Sequence, residues 1–477
     1  MLGFFFQSMH VPQKVIETLA HIGISISNES ITAVTRALSV ESQSKLRELG
    51  QSLLAAYVYD NFDVDLKSYV SVVEKTSTSL KHLTSGLLFP LAHGVTIDHL
   101  KCSAELWKKS LLNPEAEEED LPPKRTWQDL LVLHPESPSA PQTGPSFLSR
   151  RDKFNSWVFL SNLCTSGPSY FHQFKPLLHD PDVIEKIPLL ETPLTPARAM
   201  DINNSTVSGN IRAVVDLLAQ GGVYDPNDVH FEDSGSPDLT PYVVLIHGDL
   251  GTGERLQAVQ ICRSIEAMPW DRFQHVIFIP GLFHLKMACT DAIWRCFIQP
   301  LTMWEDETSL ICDVAQLRPR ETGIIGSKPG FRRMHQLINH AGIVRCLDCW
   351  RVYTQKKSAQ WTSLKAFAAS KPTMDDLKTW ADEIALEYIA SSYQLYNMRQ
   401  RTPCQRDVQF ENALLLNKYF LLYEEITYAM NLGDIGHVET CIISWIPILK
   451  ATGKHKYATH MTNFLLDVHF VYPPGLR

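Results

Sequence analysis

The chain has 477 residues, 44% of them hydrophobic and 20% charged, a composition that excludes a disordered or fibrous protein. The formal net charge of -8 at pH 7 excludes a surface that binds nucleic acid over its whole extent, because phosphate binding requires concentrated Lys and Arg. No apolar run reaches the roughly 18 residues of a membrane span, and the N-terminal residues do not read as a signal peptide. We therefore expect a soluble intracellular protein of the nucleus or cytoplasm, with no membrane partner.

The N-terminal region has the period of helices. Apolar residues recur at intervals of three and four between residues 10 and 56, which predicts helices there. The apolar and aromatic run from Ala55 to Asp60 follows and predicts a strand that ends at Asp60.

The composition changes abruptly between residues 113 and 150. An acidic run at 115–120 is followed by a Pro-rich stretch at 135–145. Such a segment buries too little apolar surface to offset its ordering entropy, so it is typical of an insertion or linker.

Two more strands are predicted further along the chain. The first runs from Pro241 to His247 and leads through a Gly-rich turn, residues 248–253, into a helix. The second covers His275 to Pro280 and ends near His284. From about residue 373 the pattern is helical; Gly433 ends one helix, and Asp434 or a neighbour is expected to cap the next.

These elements indicate an α/β protein in five segments. The segments are an N-terminal helical region (1–56), the first part of an α/β core (57–112), the Pro-rich acidic insertion (113–150), the second part of the core (151–310) and a helical region (311–477).

Asp60 and Asp249 both follow predicted strands, and this position suits a metal site. Carboxylates that hold two Mg²⁺ ions must converge from separate parts of a rigid scaffold, and neighbouring strand ends provide such positions. Asp residues at strand ends also form turns and cap helices, and by spacing alone that structural role is favoured.

The turn at 248–253 also invites a phosphate-loop interpretation, because backbone N–H groups at a helix start bind phosphates. However, Glu254 and Arg255 follow Gly253, where such a loop carries Lys and then Ser or Thr. A nucleotide-binding protein is therefore the weakest of the alternatives.

Several short motifs resemble those of a known family. They are Tyr59–Asp63, His82–Pro90, Gly209–Ile211, Gln220–Gly222, Gly248–Thr252, Phe283–His284, Tyr423–Glu424 and Gly433–Gly436. On these motifs the chain resembles a fungal (basidiomycete) family, domain of unknown function 6589. The resemblance covers most of the chain, apart from the Pro-rich insertion. That family is similar in layout to cut-and-paste transposases. The resemblance implies a ribonuclease-H-like mixed-sheet core with large helical insertions and a helical C-terminal region.

In such transposases an acidic triad lies on the first strand, the fourth strand and a later helix. On this resemblance Asp60 is the first acid, Asp249 the second and Glu424 the third. Rivals for the first acid are Asp63 and Asp65, and those for the third are Glu425 and Asp434. His284 resembles a histidine that several transposase groups have near the second acid. The implied cofactor is Mg²⁺, bound by Asp60, Asp249 and Glu424, and the implied partner is DNA, which would undergo cleavage or strand transfer.

Two departures qualify the implied activity. Members of the family continue beyond the position of Pro474, so the chain looks C-terminally short, and it carries no recognisable DNA-binding module. Both features favour a degenerate or repurposed copy over an autonomous transposase. The rival from another class is a non-catalytic interaction protein that retains the fold.

Overall fold

The computed structural model describes residues 2–65, 80–133, 148–306, 308–327 and 329–477. The chain divides into two compact units. The first unit comprises Met1–Pro123, Leu190–Gly281 and Val468–Arg477, and the second comprises Lys124–Leu189 and Leu282–Asp467. The five strands of the described residues lie in the first unit, and the stretch 151–310 is divided between the two units.

The first unit combines a mixed sheet with helices, all numbered along the whole chain. Its strands are β1 Ala55–Asp65, β2 Leu80–Pro90, β3 Thr195–Pro196, β4 Val244–Gly248 and β5 Val276–Pro280. Its helices are α1 Leu2–Ser8, α2 Gln13–His21, α3 Asn28–Gln51, α4 Ile97–Leu100, α5 Ser103–Lys108, α8 Val207–Gln220, α9 Phe231–Ser234 and α10 Leu250–Arg263.

The sheet has the strand order β3-β2-β1-β4-β5. β2 runs antiparallel to both β1 and β3, whereas β1, β4 and β5 are parallel to one another. β1 is thus the central strand. It pairs on one side with β2, the next strand in sequence, and on the other side with β4, which lies far along the chain.

The main core of the first unit lies on one face of this sheet. Side chains alternate between the faces of a strand, so Tyr57 and Tyr59 of β1 share this face with Ile246 of β4. Helices α3, α8 and α10 cover it, with Leu217 of α8 and Leu256 of α10 almost fully buried. A smaller cluster that includes Val243 and Ile277 is separate from this core.

The three strands predicted from the sequence are confirmed with shifted ends. β1 continues five residues beyond Asp60 because it pairs along its whole length with β2, and this partner was not predicted. The β2 sequence contains His82, Thr84, Ser85 and Gly86, which weaken its apolar pattern. The last predicted strand ends at Pro280, and His284 lies in the helix after it.

The second unit is helical in its described residues. Its helices are α6 Trp127–Leu133, α7 Arg150–Ser166, α11 Leu282–Phe297, α12 Leu310–Leu317, α13 Thr322–Ser327, α14 Phe331–Lys357, α15 Leu364–Ala369, α16 Met374–Glu387, α17 Ser392–Arg399, α18 Val408–Leu432, α19 Ile435–Ala451 and α20 His455–Leu466. The 3-10 turns are Ser169–Leu177, Leu301–Trp304, Pro319–Glu321 and Pro403–Gln405. A π-helical turn, Asp467–Val471, begins at the last residue of this unit, and its other residues belong to the first unit. Within the described ranges, none of the chain's helices has the length and apolar character needed to cross a bilayer.

Two sequence predictions can be compared with this unit, the helix boundary at Gly433 and Asp434 and the insertion at 113–150. Gly433 ends α18 in the left-handed region (φ 69°), and Asp434 caps α19 by accepting a hydrogen bond from the N–H of His437, as predicted. The proposed insertion at 113–150 is in part regular, because α6 forms within it and buries Leu130 completely. Its Pro-rich stretch at 135–145 lies outside the described residues.

A packing contact explains Gly253, and it yields a test. A Cβ at this helical position would lie 2.4 Å from the Phe278 ring of β5, so only glycine lets α10 approach the sheet this closely. We expect Gly253→Ala to destabilise the protein by about 1–3 kcal/mol, measured by urea unfolding, because overpacking outweighs the better helix propensity of Ala.

Gly342→Ala is the matched control for that substitution. Gly342 is also in a helix, α14, but its Cβ would meet only Phe420, at 3.6 Å. Here Ala is expected to stabilise by up to about 1 kcal/mol, since no clash opposes its helix propensity. Equal effects of the two substitutions would refute the packing role of Gly253.

Candidate functional site

Asp60 is an exposed residue in the middle of β1. Its carboxylate accepts one hydrogen bond, 2.8 Å from the backbone N–H of Asn61. In the described part of the chain this is its only hydrogen bond, so the second oxygen is open to solvent or to a ligand. An Asp that exposes its carboxylate on a strand contributes little to packing.

Asp249 lies directly after β4 and caps α10. Its backbone is extended (φ -75°, ψ 172°), and its Oδ1 accepts a 2.7 Å hydrogen bond from the N–H of Thr252. This is the capping role that spacing alone favoured, and it satisfies one of the free N–H groups at the helix start. Among the described residues Oδ2 has no hydrogen-bond partner, so Asp249 also keeps one oxygen free.

The strand register relates these two residues. Val58 of β1 and His247 of β4 form the last pair between the two strands, and Asp60 and Asp249 each follow two residues later in the chain. Paired strands lie roughly 4.8 Å apart, so both aspartates come shortly after the point where β1 and β4 are neighbours.

Two titratable side chains near the aspartates, Tyr59 and His247, have pKa values that burial shifts. The Tyr59 hydroxyl donates a 2.8 Å hydrogen bond to Asn210, and burial raises the pKa of Tyr59; the positive charge of Arg255 opposes that shift and Asp249 adds to it. Burial lowers the pKa of His247 to about 4, which leaves its ring neutral at pH 7, 5.3 Å from the Phe89 ring. Neither group supplies a charge at pH 7.

The rivals for the first acid lie further along β1. Asp63 holds an exposed ion pair with His82, 2.7 Å away, and pairs in the sheet only with β2. Asp65 ends the strand. The pairing with β4 ends at Val58, and Asp60 lies two residues beyond that point, nearer to β4 than either rival.

The geometry of the 248–253 turn disfavours a phosphate site. The Asp249 carboxylate occupies the N–H of Thr252, which is the kind of donor that a phosphate would need. Arg255, the nearby cation, donates from Nε to the carbonyl of Ser205 at 3.0 Å. A nucleotide would therefore have to displace a carboxylate of its own charge.

Glu424, the third acid implied by the resemblance, belongs to the second unit. It is partly buried on α18, and within the described ranges its carboxylate has no hydrogen bond and no ion pair within 4.0 Å. Burial raises the pKa of Glu424, and the charge of Lys286 opposes that shift. The relation of Glu424 to the two aspartates is therefore still a prediction.

Glu425 and Asp434, the alternatives for the third acid, serve a buried charge network. Arg151 donates from Nε to Glu425 at 2.7 Å, and His437 donates from Nε2 to the other Glu425 oxygen, also at 2.7 Å. Asp434 accepts from the backbone of Ile184 and lies 3.6 Å from Nδ1 of the same histidine. Burial would raise the pKa of Glu425, but Arg151 and His437 outweigh it and lower that pKa.

The network also contains a group of potential metal ligands. Donor atoms of Glu425, His437 and Cys441 lie within 4.8 Å of one another, and no other group of three was found in the described residues. Arg151 and His437 already donate hydrogen bonds to the two oxygens of Glu425. These side chains are therefore arranged for hydrogen bonding rather than for binding a metal ion. No such trio in the described residues includes Asp60 and Asp249.

Three further residues, His284, Cys346 and Cys349, lie in helices of the second unit. His284 lies in the first turn of α11 rather than at a strand end, because β5 stops at Pro280. The thiols of Cys346 and Cys349 are buried on α14, and burial raises the pKa of Cys349 to about 12, so both stay protonated. The CxxC pair therefore belongs to the hydrophobic core of the second unit.

Comparisons with known proteins give one match. Residues 125–477 match the model of a family described as "Family of unknown function (DUF6589)". The matched residues include Asp249 and Glu424, whereas Asp60 precedes them. No curated protein and no solved structure matches the chain.

The capping role of Asp249 can be tested by two substitutions that differ in their expected effect on stability. Asn caps a helix about as well as Asp does, whereas Ala cannot accept the hydrogen bond from Thr252. We expect Asp249→Ala to lower the free energy of unfolding by about 1 kcal/mol and Asp249→Asn to leave it nearly unchanged, measured by urea unfolding. A large loss in both variants would contradict the capping role.

The buried network gives a second stability test. Arg151→Met leaves the Glu425 carboxylate, fully buried, without its main counter-charge, and we expect a loss of about 3–5 kcal/mol in urea unfolding. Arg351→Met is the matched control, because Arg351 pairs with Asp348 at the surface and such pairs contribute about 0–1 kcal/mol. Losses of similar size at the two sites would show that Glu425 does not depend on Arg151.

Proposed function

The chain belongs to the family of unknown function DUF6589, and we propose that it is a transposon-derived protein whose first unit has a ribonuclease-H-like core for Mg²⁺-dependent cleavage or strand transfer of DNA. The observation that supports this proposal is the register of the first and fourth strands, whose last pair, Val58 and His247, precedes Asp60 and Asp249 by two residues each. The activity is proposed as that of a degenerate copy, weaker than that of an autonomous transposase.

The sheet topology supports the proposal. In the transposases that the family resembles, the first two acids lie on the first and fourth strands, so these strands must be neighbours for the acids to meet. In this chain β1 and β4 are parallel neighbours. The order β3-β2-β1-β4-β5, in which only β2 is reversed, makes a mixed sheet, which agrees with the mixed-sheet core that the resemblance implies.

The chemistry of the two carboxylates fits an oxygen-seeking cation. Asp60 and Asp249 each have one oxygen engaged by a backbone N–H and one without a hydrogen-bond partner in the described residues. Mg²⁺ binds through carboxylate oxygens and keeps several waters, so two carboxylates at one sheet edge make a suitable start of a site. When bound, Mg²⁺ would activate the attacking oxygen and stabilise the leaving oxygen of the phosphodiester.

Each residue of the proposed triad has a distinct part. The helix cap fixes the position of Asp249, because its Oδ1 is held by Thr252 while its other oxygen can face a ligand. Asp60, whose one carboxylate hydrogen bond is to the N–H of the next residue, would complete the pair with its other oxygen. Glu424 is proposed as the third acid on the resemblance alone.

The non-catalytic alternative has its own support. The structural role of Asp249 as a cap accounts for an aspartate at that position without any chemistry. In addition, no group of three closely spaced metal ligands in the described residues includes the aspartate pair. An interaction protein that retains the fold is therefore the second candidate.

A nuclease assay distinguishes the two candidates. The full chain is incubated with duplex and branched DNA in Mg²⁺ or Mn²⁺, and cleavage is compared with that of Asp60→Asn and Asp249→Asn. We expect each variant to lose at least about 10²-fold in rate, since amide oxygens replace anionic ligands at a centre that stabilises developing charge.

Asp63→Asn is the control on the same strand, because Asp63 makes an exposed ion pair beyond the level of β4. Its rate should stay within about twofold of the wild type. Equal activity of wild type and Asp249→Asn would indicate a contaminant or a different site. Absence of metal-dependent cleavage by the wild type would remove the catalytic proposal in favour of the interaction protein.

A further inference from the structure

A cavity of about 190 Å³ lies within the second unit, between α7, α14 and α18. One wall is apolar and includes Val158, Ile338 and Phe420. A cavity of about 150 Å³ lined by apolar side chains holds a benzene molecule, so this one has room for a ring with a small substituent.

A glycine keeps one side of this cavity open. Gly342 lies in the middle of the 27-residue helix α14, where glycine costs about 1 kcal/mol relative to alanine. A Cβ there would clash with nothing, since its nearest neighbour, Phe420, would be 3.6 Å away. No close helix contact therefore requires the glycine, and its effect is to leave volume in the cavity.

The polar side of the cavity is rich in acceptors that lack donors. The Glu424 carboxylate lines it and has no hydrogen bond or ion pair within 4.0 Å in the part of the chain that the structure describes. The Oδ1 atom of Asn339, on the same lining, is buried without a hydrogen-bond partner. A buried acceptor such as Oδ1 of Asn339 is costly unless a donor reaches it, whereas Glu424 is partly exposed towards the cavity.

The cations near the cavity do not meet this need. Arg345 lines it, but its guanidinium is already bonded to Asp313 and to the carbonyl of Thr308, each at 2.8 Å. Lys286 acts on Glu424 only at a distance, and its ammonium lies 5.7 Å from the centre of the Tyr423 ring. Glu424 is thus a carboxyl group that lines the cavity and, within the described residues, has no hydrogen-bonded counter-ion.

We propose that this cavity binds a small organic cation, an amidinium or guanidinium that carries an apolar ring. The planar N–H fork would donate to Glu424 and to Asn339, and the ring would lie against Val158, Ile338 and Phe420. An amidinium matches a carboxylate with two parallel N–H donors, an arrangement that gives both strength and geometric specificity. The site lies in the second unit alone and needs neither DNA nor metal.

Benzamidine is the probe, and calorimetry on the full chain without metal or DNA is the measurement. We expect binding in the millimolar range or tighter, and at least about tenfold weaker binding of benzamide, which has the same ring but no charge. Glu424→Gln should weaken benzamidine binding by about tenfold or more, because the amide is neutral and has one acceptor oxygen.

Two further variants keep the result interpretable. Gly342→Leu fills the cavity from α14, so it should abolish binding while the thermal unfolding of the protein shows that it is folded. Glu305→Gln is the matched control, an exposed glutamate of the same unit, and should bind benzamidine as the wild type does.

Three results would overturn the proposal. The first is that the wild type does not bind benzamidine at 10 mM, on the order of the weakest affinity that calorimetry resolves. The second is that Glu424→Gln and Gly342→Leu both bind benzamidine as the wild type does. The third is that Glu305→Gln loses as much benzamidine affinity as the cavity variants do. Weakening confined to the two cavity variants would establish the site.

Discussion

The hydrogen bonding between β1 and β4 is the constraint on which the first unit depends. It joins residues such as Ala56 and Leu245, so the intervening chain must close a long loop before this pairing can form. Burial of Tyr57 and Ile246 on the same face offsets that entropy. The same pairing divides the sheet into an antiparallel half and a parallel half, and it sets the ends of two distant segments beside each other. Any chemistry of the aspartate pair follows from this one long-range contact.

The second unit depends on a buried charge network, and two adjacent glutamates, Glu424 and Glu425, show how the helix divides its surroundings. Successive residues of a helix point about 100° apart, so Glu424 and Glu425 face different surroundings although they are chemically identical. Glu425 is fully buried against Arg151 and His437, which together keep it ionised. Glu424 faces a cavity and has no such partners in the described residues. The helix thus carries one carboxylate that is paired inside the fold and one carboxyl group that lines a cavity.

The sequence predicted those features that depend on local pattern. Strands with strong apolar runs, such as Ala55–Asp60, and local stops, such as Gly433 with its capping Asp434, were found because neighbouring residues determine them. The β2 strand was missed, since its polar residues are tolerated only because β1 pairs with it along eleven positions. Arg151 and His437 gave no signal, because a buried ion pair between residues far apart in sequence leaves no trace in periodicity or spacing. The sequence predicted that Asp249 follows a strand, but it placed Asp60 at a strand end, whereas β1 continues to Asp65 because it pairs with β2. The relation of both to a third acid depends on arrangements that no local pattern records.

The cap at the start of α10 has a consequence for how this family changes over evolutionary time. Asp249 contributes to folding through Thr252, so selection for a stable helix would retain an aspartate or asparagine there even in a copy that has lost every catalytic function. Asp60 is exposed and has no comparable structural duty, so once chemistry is no longer under selection its codon is free to drift. In the proposed enzyme, a substitution at position 60 would therefore remove activity without a loss of stability, whereas a substitution at position 249 that removes the cap would affect both.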